Sequence, residues 1–243
     1  MRYLFPTLIL GLLLSTGCKD SADATGSGSS SAGTSTLGVQ AWYGTDSTDL
    51  DPEQTRRNFY IVLDGSGSMA SSGCSGSESK SAVAKRAVKE FASRLNPEDN
   101  LGLLVFDGDG ITERVPLNVN NRKEFNRAVD VSDTRANTPL KDSITLAYEK
   151  VKRQAARQLG YGEYHLVVVT DGEANMGQDP SEIVKEILTG TPVVIHTMGF
   201  CIGGGHSLNQ PGKINYRDAN SPGDLKKGLE SVLAESDSFK PQK

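Results

Sequence analysis

Short apolar runs alternate along this chain with longer segments of helical periodicity, and this alternation constrains the fold more than any other feature. The apolar runs cover residues 59–63, 101–106, 165–169 and 193–197. Apolar residues recur at helical spacing in residues 84–95 and 140–159. Strands that are apolar throughout are buried on both faces, as parallel strands covered by helices are. The pattern predicts an α/β fold with a doubly wound, mostly parallel sheet covered by helices on both faces.

Smaller elements complete the predicted sheet and its cover. They are short strands at residues 114–117 and 213–216, a short helix at 122–129 and a last helix that opens at Ser221. In open sheets of this kind, ligands bind beyond the carboxyl ends of the strands, where the strand order reverses. Functional side chains are therefore expected just after Leu63, Phe106, Val169 and Thr197.

The charge balance argues against a nucleic-acid-binding protein. The 243 residues carry 26 basic and 30 acidic side chains, a formal net charge of −4. Nucleic-acid-binding surfaces are normally basic, because they neutralise phosphates. The chain length and the 36% of hydrophobic residues are sufficient for one sizeable core.

The N-terminus has the pattern of a secretory signal. An apolar run at residues 4–14 follows the basic start Met1-Arg2, and it is shorter than the roughly 20 residues that a membrane-spanning helix needs. The small residues before Cys18 resemble the lipobox of bacterial lipoproteins, which implies a signal peptide at 1–17 and a lipidated Cys18. An ordinary cleaved signal with an incidental cysteine is the alternative.

The segment after Cys18 is predicted to be a tether. Residues 18–36 are rich in Ser, Gly, Thr and Ala, and such a composition favours a flexible linker. Lys19 stands where enteric lipoproteins of the inner membrane carry Asp, so the outer membrane is favoured within the bacterial cell envelope. Residues 37–57 form an N-terminal extension, expected to pack on the flank of a domain spanning 58–236, and 237–243 form a C-terminal tail.

Two cysteines remain if Cys18 carries lipid. In an oxidising compartment, Cys74 and Cys201 are expected to form one disulfide. Both follow predicted strands, so they could meet at one edge of the sheet. Two free thiols are the alternative.

Three short segments carry the chemistry. Asp64-Gly65-Ser66-Gly67-Ser68 follows the first strand, Asn137-Thr138-Pro139 opens the long helix, and Thr170-Asp171-Gly172 follows the strand at 165–169. Together, in this order, they resemble the metal-ion-dependent adhesion site of von Willebrand factor A domains. The resemblance covers roughly residues 58–235.

The resemblance implies a Mg²⁺ or Mn²⁺ site. Ser66, Ser68 and Thr138 would bind the ion directly, while Asp64 and Asp171 would act through water and hydrogen bonds to the serines. A hard cation prefers such oxygen ligands. With few anionic ligands the ion would attract an Asp or Glu of a partner protein, which implies a membrane-anchored adhesion or scaffold module rather than an enzyme.

Less specific interpretations exist for each segment. The first could be plain turn chemistry, Thr138 could cap the helix, and Asp171 could belong to a simple turn. Asp107 and Asp109, at a neighbouring strand end, are expected to be solvated loop charges, and the alternative is that they shape the rim of the site.

Two other functions stay open. A hydrolase could use the same metal with Glu173 or Asp107 as general base, and a structural subunit could carry a vestigial site. No catalytic motif is evident. His165 and His196 are expected to be core histidines, and His206 a loop residue.

Overall fold

A computed structural model describes residues 41–44, 49–202 and 205–238. The described residues contain one six-stranded sheet with the order β3-β2-β1-β4-β5-β6. The strands are β1 (Arg57–Asp64), β2 (Asn100–Asp107), β3 (Gly110–Asn118), β4 (Glu163–Thr170), β5 (Val194–Phe200) and β6 (Asn215–Ala219). The helices are α1 (Lys80–Arg94), α2 (Arg122–Val131), α3 (Leu140–Arg157), α4 (Ser181–Gly190) and α5 (Pro222–Ser238). The predicted signal peptide, Cys18 and the tether lie outside the described residues.

The sheet is doubly wound, as predicted. β1 pairs in parallel with β2 on one side and with β4 on the other. β4–β5 and β5–β6 are also parallel, and the edge strand β3 alone is antiparallel. The chain winds outward from β1 in one direction and, after α3, in the other. The strand order therefore reverses at the carboxyl ends of β1 and β4, which is where such sheets bind ligands.

Alternate residues of the central strand supply two separate cores. Phe59, Ile61 and Leu63 pack with apolar residues of α1, α2 and α5, whereas Tyr60 and Val62 pack with those of α3 and α4. Side chains of a strand alternate between faces, so a strand that is apolar at every position needs cover on both sides. This arrangement is the physical reason for the continuous apolar runs in the sequence.

The described residues of the N-terminal extension, 41–44 and 49–57, include side chains that pack against the end of the domain where β4 begins. The Trp42 ring stands edge-on to Tyr164, with ring centroids 5.3 Å apart. The Tyr43 hydroxyl donates a 3.0 Å hydrogen bond to the Leu159 carbonyl, and Gln154 Nε2 donates to Asp51 Oδ2 at 3.0 Å. This end is opposite the carboxyl ends of the parallel strands.

The minor elements differ from their predicted bounds. β3 runs from Gly110 to Asn118 rather than over residues 114–117. β6 covers Asn215–Ala219, two residues later than predicted at its start, because Ile214 lies in the preceding loop. No helix in the described part of the chain is long and apolar enough to span a bilayer.

Candidate metal-binding site

The first site segment leaves β1 in a tight turn. Asp64, the last residue of β1, accepts a 2.6 Å hydrogen bond from the Ser66 backbone NH. Gly65 donates to the Phe106 carbonyl and accepts from the Ala136 NH. A Cβ on Gly65 would lie 2.7 Å from the Phe106 carbonyl oxygen, so only glycine fits between β2 and the segment that leads to α3.

The structure brings together all five residues predicted to form the metal site. Ser66 Oγ lies 3.0 Å from Ser68 Oγ, and Ser68 Oγ donates to Asp171 Oδ1 at 2.7 Å. Thr138 faces the same space, because a Cβ added to Gly172 would meet Thr138 Oγ1 at 3.4 Å and Ser68 Oγ at 3.6 Å. Three hydroxyls and two carboxylates thus surround one small cradle that glycine keeps open.

Thr138 does not cap α3. The helix begins at Leu140, with Pro139 at the capping position and no side-chain cap. Asn175 holds the Thr138 backbone instead: its Oδ1 accepts from Thr138 NH, and its own NH donates to the Thr138 carbonyl, both at 3.1 Å. The hydroxyl is therefore aimed at the cradle by a loop from the other side of the site.

The electrostatics of the site suit a cation. Asp64 is 2% exposed, and burial, together with the nearby Asp171 carboxylate, raises its pKa to about 6, although hydrogen bonds from Ser66 and Thr170 oppose that rise. Asp171 is also buried. Paired buried carboxylates with neutral hydroxyls around them match the hard oxygen ligands that Mg²⁺ prefers, so the residues present fit such an ion.

Thr170 also belongs to the site, in a role that the motif by itself does not predict. Its Oγ1 donates a 2.5 Å hydrogen bond to Asp64 Oδ2. The sequence did contain a signal, since Thr170 directly precedes Asp171 at the carboxyl end of a buried strand.

Asp107 is not a solvated loop charge as expected, whereas Asp109 is. Asp107, expected to be solvated, is 3% exposed and accepts from Arg114 Nη2 at 2.8 Å. It also accepts from the Asp133 NH at 3.3 Å. Asp107 therefore fixes the segment that leads toward Thr138, whereas Asp109 stays largely exposed.

His206 holds the Gly172 turn of the site in place. Its Nδ1 accepts from the Leu208 NH at 3.0 Å, so Nε2 carries the proton and donates to the Gly172 carbonyl at 2.8 Å. The residue is buried. No local motif marks this role, because the contact joins residues 34 positions apart.

His165 and His196 are buried side chains, as expected. His165 Nδ1 lies 3.2 Å from His196 Nε2, near the start of their strands and away from the predicted metal ligands. Burial and the neighbouring His165 lower the pKa of His196 to about 3. His165 Nε2 is 3.7 Å from Glu163 Oε2, too far for a hydrogen bond.

The predicted disulfide is confirmed. Cys74 and Cys201 are bonded, with their Cα atoms 5.5 Å apart. Cys74 lies in a 3₁₀ turn after β1, and Cys201 directly follows β5. The bond therefore joins two loops at the carboxyl edge of the sheet, beside the cradle, and the alternative of two free thiols is wrong.

Comparisons with known proteins agree with this architecture. The sequence model of the von Willebrand factor type A domain matches residues 58–227. The uncharacterized protein YwmD of Bacillus subtilis is 27% identical over 203 residues, 73% of this chain and 85% of YwmD. The uncharacterized protein YfbK of Escherichia coli is 22% identical over 131 residues, 54% of this chain but only 21% of YfbK.

A solved structure shares the fold. The vWF domain of the type V pili tip protein Mfa5 from Porphyromonas gingivalis aligns with a TM-score of 0.59 at 9% identity, covering 78% of this chain and 98% of that domain.

Proposed function

The chain belongs to the von Willebrand factor type A domain family, and on that premise we propose that it is a divalent-metal-dependent protein-binding module of the bacterial cell envelope. The observation that carries the proposal is the convergence of Ser66, Ser68 and Thr138 with two buried aspartates on one cradle. A protein-interaction role fits the family better than catalysis does.

The residues of the cradle would interact with the ion in two ways. The three hydroxyl oxygens would hold Mg²⁺ or Mn²⁺, and Asp64 and Asp171 would orient the serines and supply negative charge. When bound, the ion supplies a positive centre that accepts one further oxygen ligand. A carboxylate of a partner protein, from Asp or Glu, is the group that such a centre would capture.

The rim of the site suits a protein ligand. Ser68 is exposed to solvent, so an incoming side chain can reach the cradle. Met176, one residue after the Asn175 that holds Thr138, is fully exposed. Methionine is one of the residue types that are enriched at protein–protein interfaces.

Both carboxylates considered as general bases are engaged elsewhere. Arg114 pairs with Asp107, and Glu173 Oε2 accepts from the Ser207 NH at 3.4 Å. These contacts favour the binding module over a hydrolase.

Attachment to the membrane is the second part of the proposal. A signal peptide and a lipidated Cys18 would anchor the chain, preferably in the outer membrane. Trp42 and Tyr43 lie at the end of the domain opposite the cradle. The vWF domain of Mfa5, which is described as a pili tip protein, shares this fold. This similarity is in keeping with a cell-envelope location.

Thermal unfolding of the mature chain with EDTA or 10 mM Mg²⁺ tests the metal site. If Kd is about 0.1 mM, the metal adds about 2.7 kcal/mol of stability, equivalent to a rise in Tm of about 5–10 °C. Asp64→Asn should abolish this rise, and Asp109→Asn, which changes an exposed carboxylate at a neighbouring strand end, should preserve it. An unchanged wild-type Tm in Mg²⁺ and in Mn²⁺ would refute the metal site.

A further inference from the structure

A lysine reaches into the cradle. Lys80 is the first residue of α1, and its ammonium Nζ forms an ion pair with Asp171 Oδ2. The Lys80 side chain is 9% exposed and the Asp171 side chain 0%. The pair is therefore buried, unlike the ion pairs of Lys89 and Arg86 along the same helix, which lie at the surface.

The loop closed by the disulfide directs Lys80 into this position. The Lys80 backbone NH donates to the Ser71 carbonyl at 2.8 Å. The Lys80 side chain runs past Gly73, where an added Cβ would lie 3.5 Å from Lys80 Cε and 3.8 Å from Cys201 Cβ. The neighbouring Cys74 is bonded to Cys201, so the lysine stem lies between the disulfide and the cradle.

Both oxygens of Asp171 are thereby engaged. Oδ1 accepts from Ser68 Oγ at 2.7 Å, and Oδ2 faces the ammonium. A divalent ion held by the hydroxyls would share this carboxylate with Lys80, and two cations within a few ångström of each other repel strongly in a partly buried site. A buried charge that loses its partner is also costly, so Asp171 needs Lys80 when no metal is present.

We propose that Lys80 is the internal cation of the site, which holds Asp171 in place without metal and weakens the binding of divalent ions. This inference rests on the proposed metal-dependent function. It also gives a reason for an acidic ligand: with Lys80 retained, a site of two aspartates, one lysine and one divalent ion has a net positive charge. Without Lys80, the same loaded site would be neutral.

Titration of the mature protein with Mn²⁺, followed by calorimetry or by the spectroscopic signal of free Mn²⁺, tests the proposal. Lys80→Met should bind Mn²⁺ at least about tenfold more tightly than wild type, because the repelling charge is gone. Lys80→Arg, which keeps the charge, should bind no more tightly than wild type. Lys89→Met is the matched control on the same helix, since Lys89 pairs with Asp130 outside the site, and it should leave the affinity unchanged.

A second readout separates this role from a purely structural one. In EDTA, Lys80→Met should lower Tm, because Asp171 stays buried without its partner, and Mn²⁺ should then raise Tm by more than it does in wild type. If Lys80→Met does not fold in EDTA, the Tm of Lys80→Gln in EDTA and in Mn²⁺ is compared with wild type instead.

The outcomes distinguish the two proposals. If wild type binds Mn²⁺ and Lys80→Met binds it equally or more weakly, the role of Lys80 is overturned and the metal site stands. If only the Lys80 variants without the charge bind Mn²⁺, Lys80 is the cation that excludes divalent ions, and the metal-dependent function proposed for the wild-type protein fails. If none of the proteins binds Mn²⁺, both proposals fail.

Discussion

Thr170 Oγ1 donates a 2.5 Å hydrogen bond to Asp64 Oδ2, and so joins the last residue of β4 to the last residue of β1. These two strands are neighbours at the point where the strand order of the sheet reverses. The Asp64 turn carries two of the hydroxyls of the cradle, and Thr170 directly precedes Asp171. The geometry of the site therefore depends on a side-chain contact across the switch point as well as on the backbone.

Replacing this hydroxyl should destabilise the protein. Thr170→Val leaves a buried Asp64 oxygen without its donor, which costs about 1–3 kcal/mol, and we expect weaker Mg²⁺ binding as well. Urea unfolding and a metal titration measure the two effects. Thr197→Val is the matched control: Thr197 is also fully buried in the sheet, and its Oγ1 has no hydrogen-bond partner among the described residues. An equal loss of stability in both variants would contradict the role of Thr170.

Filling the cradle should remove metal binding without unfolding the domain. Gly172→Ala adds a methyl group at ordinary contact distance from Thr138 Oγ1 and Ser68 Oγ, so stability in EDTA should change by less than about 1 kcal/mol. The Mg²⁺-dependent rise in Tm should disappear. Gly190→Ala, where an added Cβ meets nothing within 4 Å, should keep that rise. Normal metal binding by Gly172→Ala would show that the ion lies elsewhere.

Removing the disulfide should have a large effect on stability. Cys74 and Cys201 are 127 residues apart, and closing a loop of that length stabilises a protein by about 4–5 kcal/mol in the chain-entropy model. Cys74→Ser combined with Cys201→Ser should lower the free energy of unfolding by about 2–5 kcal/mol. Denaturant unfolding of wild type with and without a reductant gives an independent measurement. If neither treatment changes the midpoint, the bond does not constrain the unfolded chain.

Acid should destabilise the protein through His196. Its pKa is lowered to about 3 in the folded state by burial, His165 and Arg217, against about 6.5 when unfolded. The unfolded state therefore binds more protons between these values, and stability is lost as the pH falls below about 6.5. Between pH 7 and pH 5 this amounts to roughly 2 kcal/mol.

Comparison with His196→Gln isolates that contribution. His165, Glu163, Glu235 and Arg217 also surround this group, and Asp64, whose pKa is raised, acts in the opposite direction because the folded state binds its proton more readily. These four neighbours and Asp64 are unchanged in His196→Gln, so they contribute to the pH dependence of both proteins. Denaturant unfolding at pH 7 and pH 5 should show a smaller loss in His196→Gln than in wild type, and equal losses would refute the assignment.

The fold could be predicted from the sequence because its main signals are local. Residues 59–63 are apolar at every position since the strand they form has helices on both faces. The order of strands and helices then limits the topology to a doubly wound sheet. β6 was placed less accurately, because a short exposed edge strand has neither continuous burial nor a clear alternation.

By itself, the sequence predicted the class of fold, because short apolar runs alternate with helical periodicity. Its three short motifs, through their resemblance to von Willebrand factor A domains, predicted the five hydroxyl and carboxylate residues of the candidate site. The pair Cys74 and Cys201 was expected because these two cysteines remain if Cys18 carries lipid. Only the tertiary structure showed that Lys80 pairs with Asp171, that His206 supports the Gly172 turn, and that Asp107 is buried. These contacts join segments far apart in the chain, and they depend on which strand ends become neighbours in the folded sheet. Local periodicity therefore does not predict which side chain from a distant segment contacts the site.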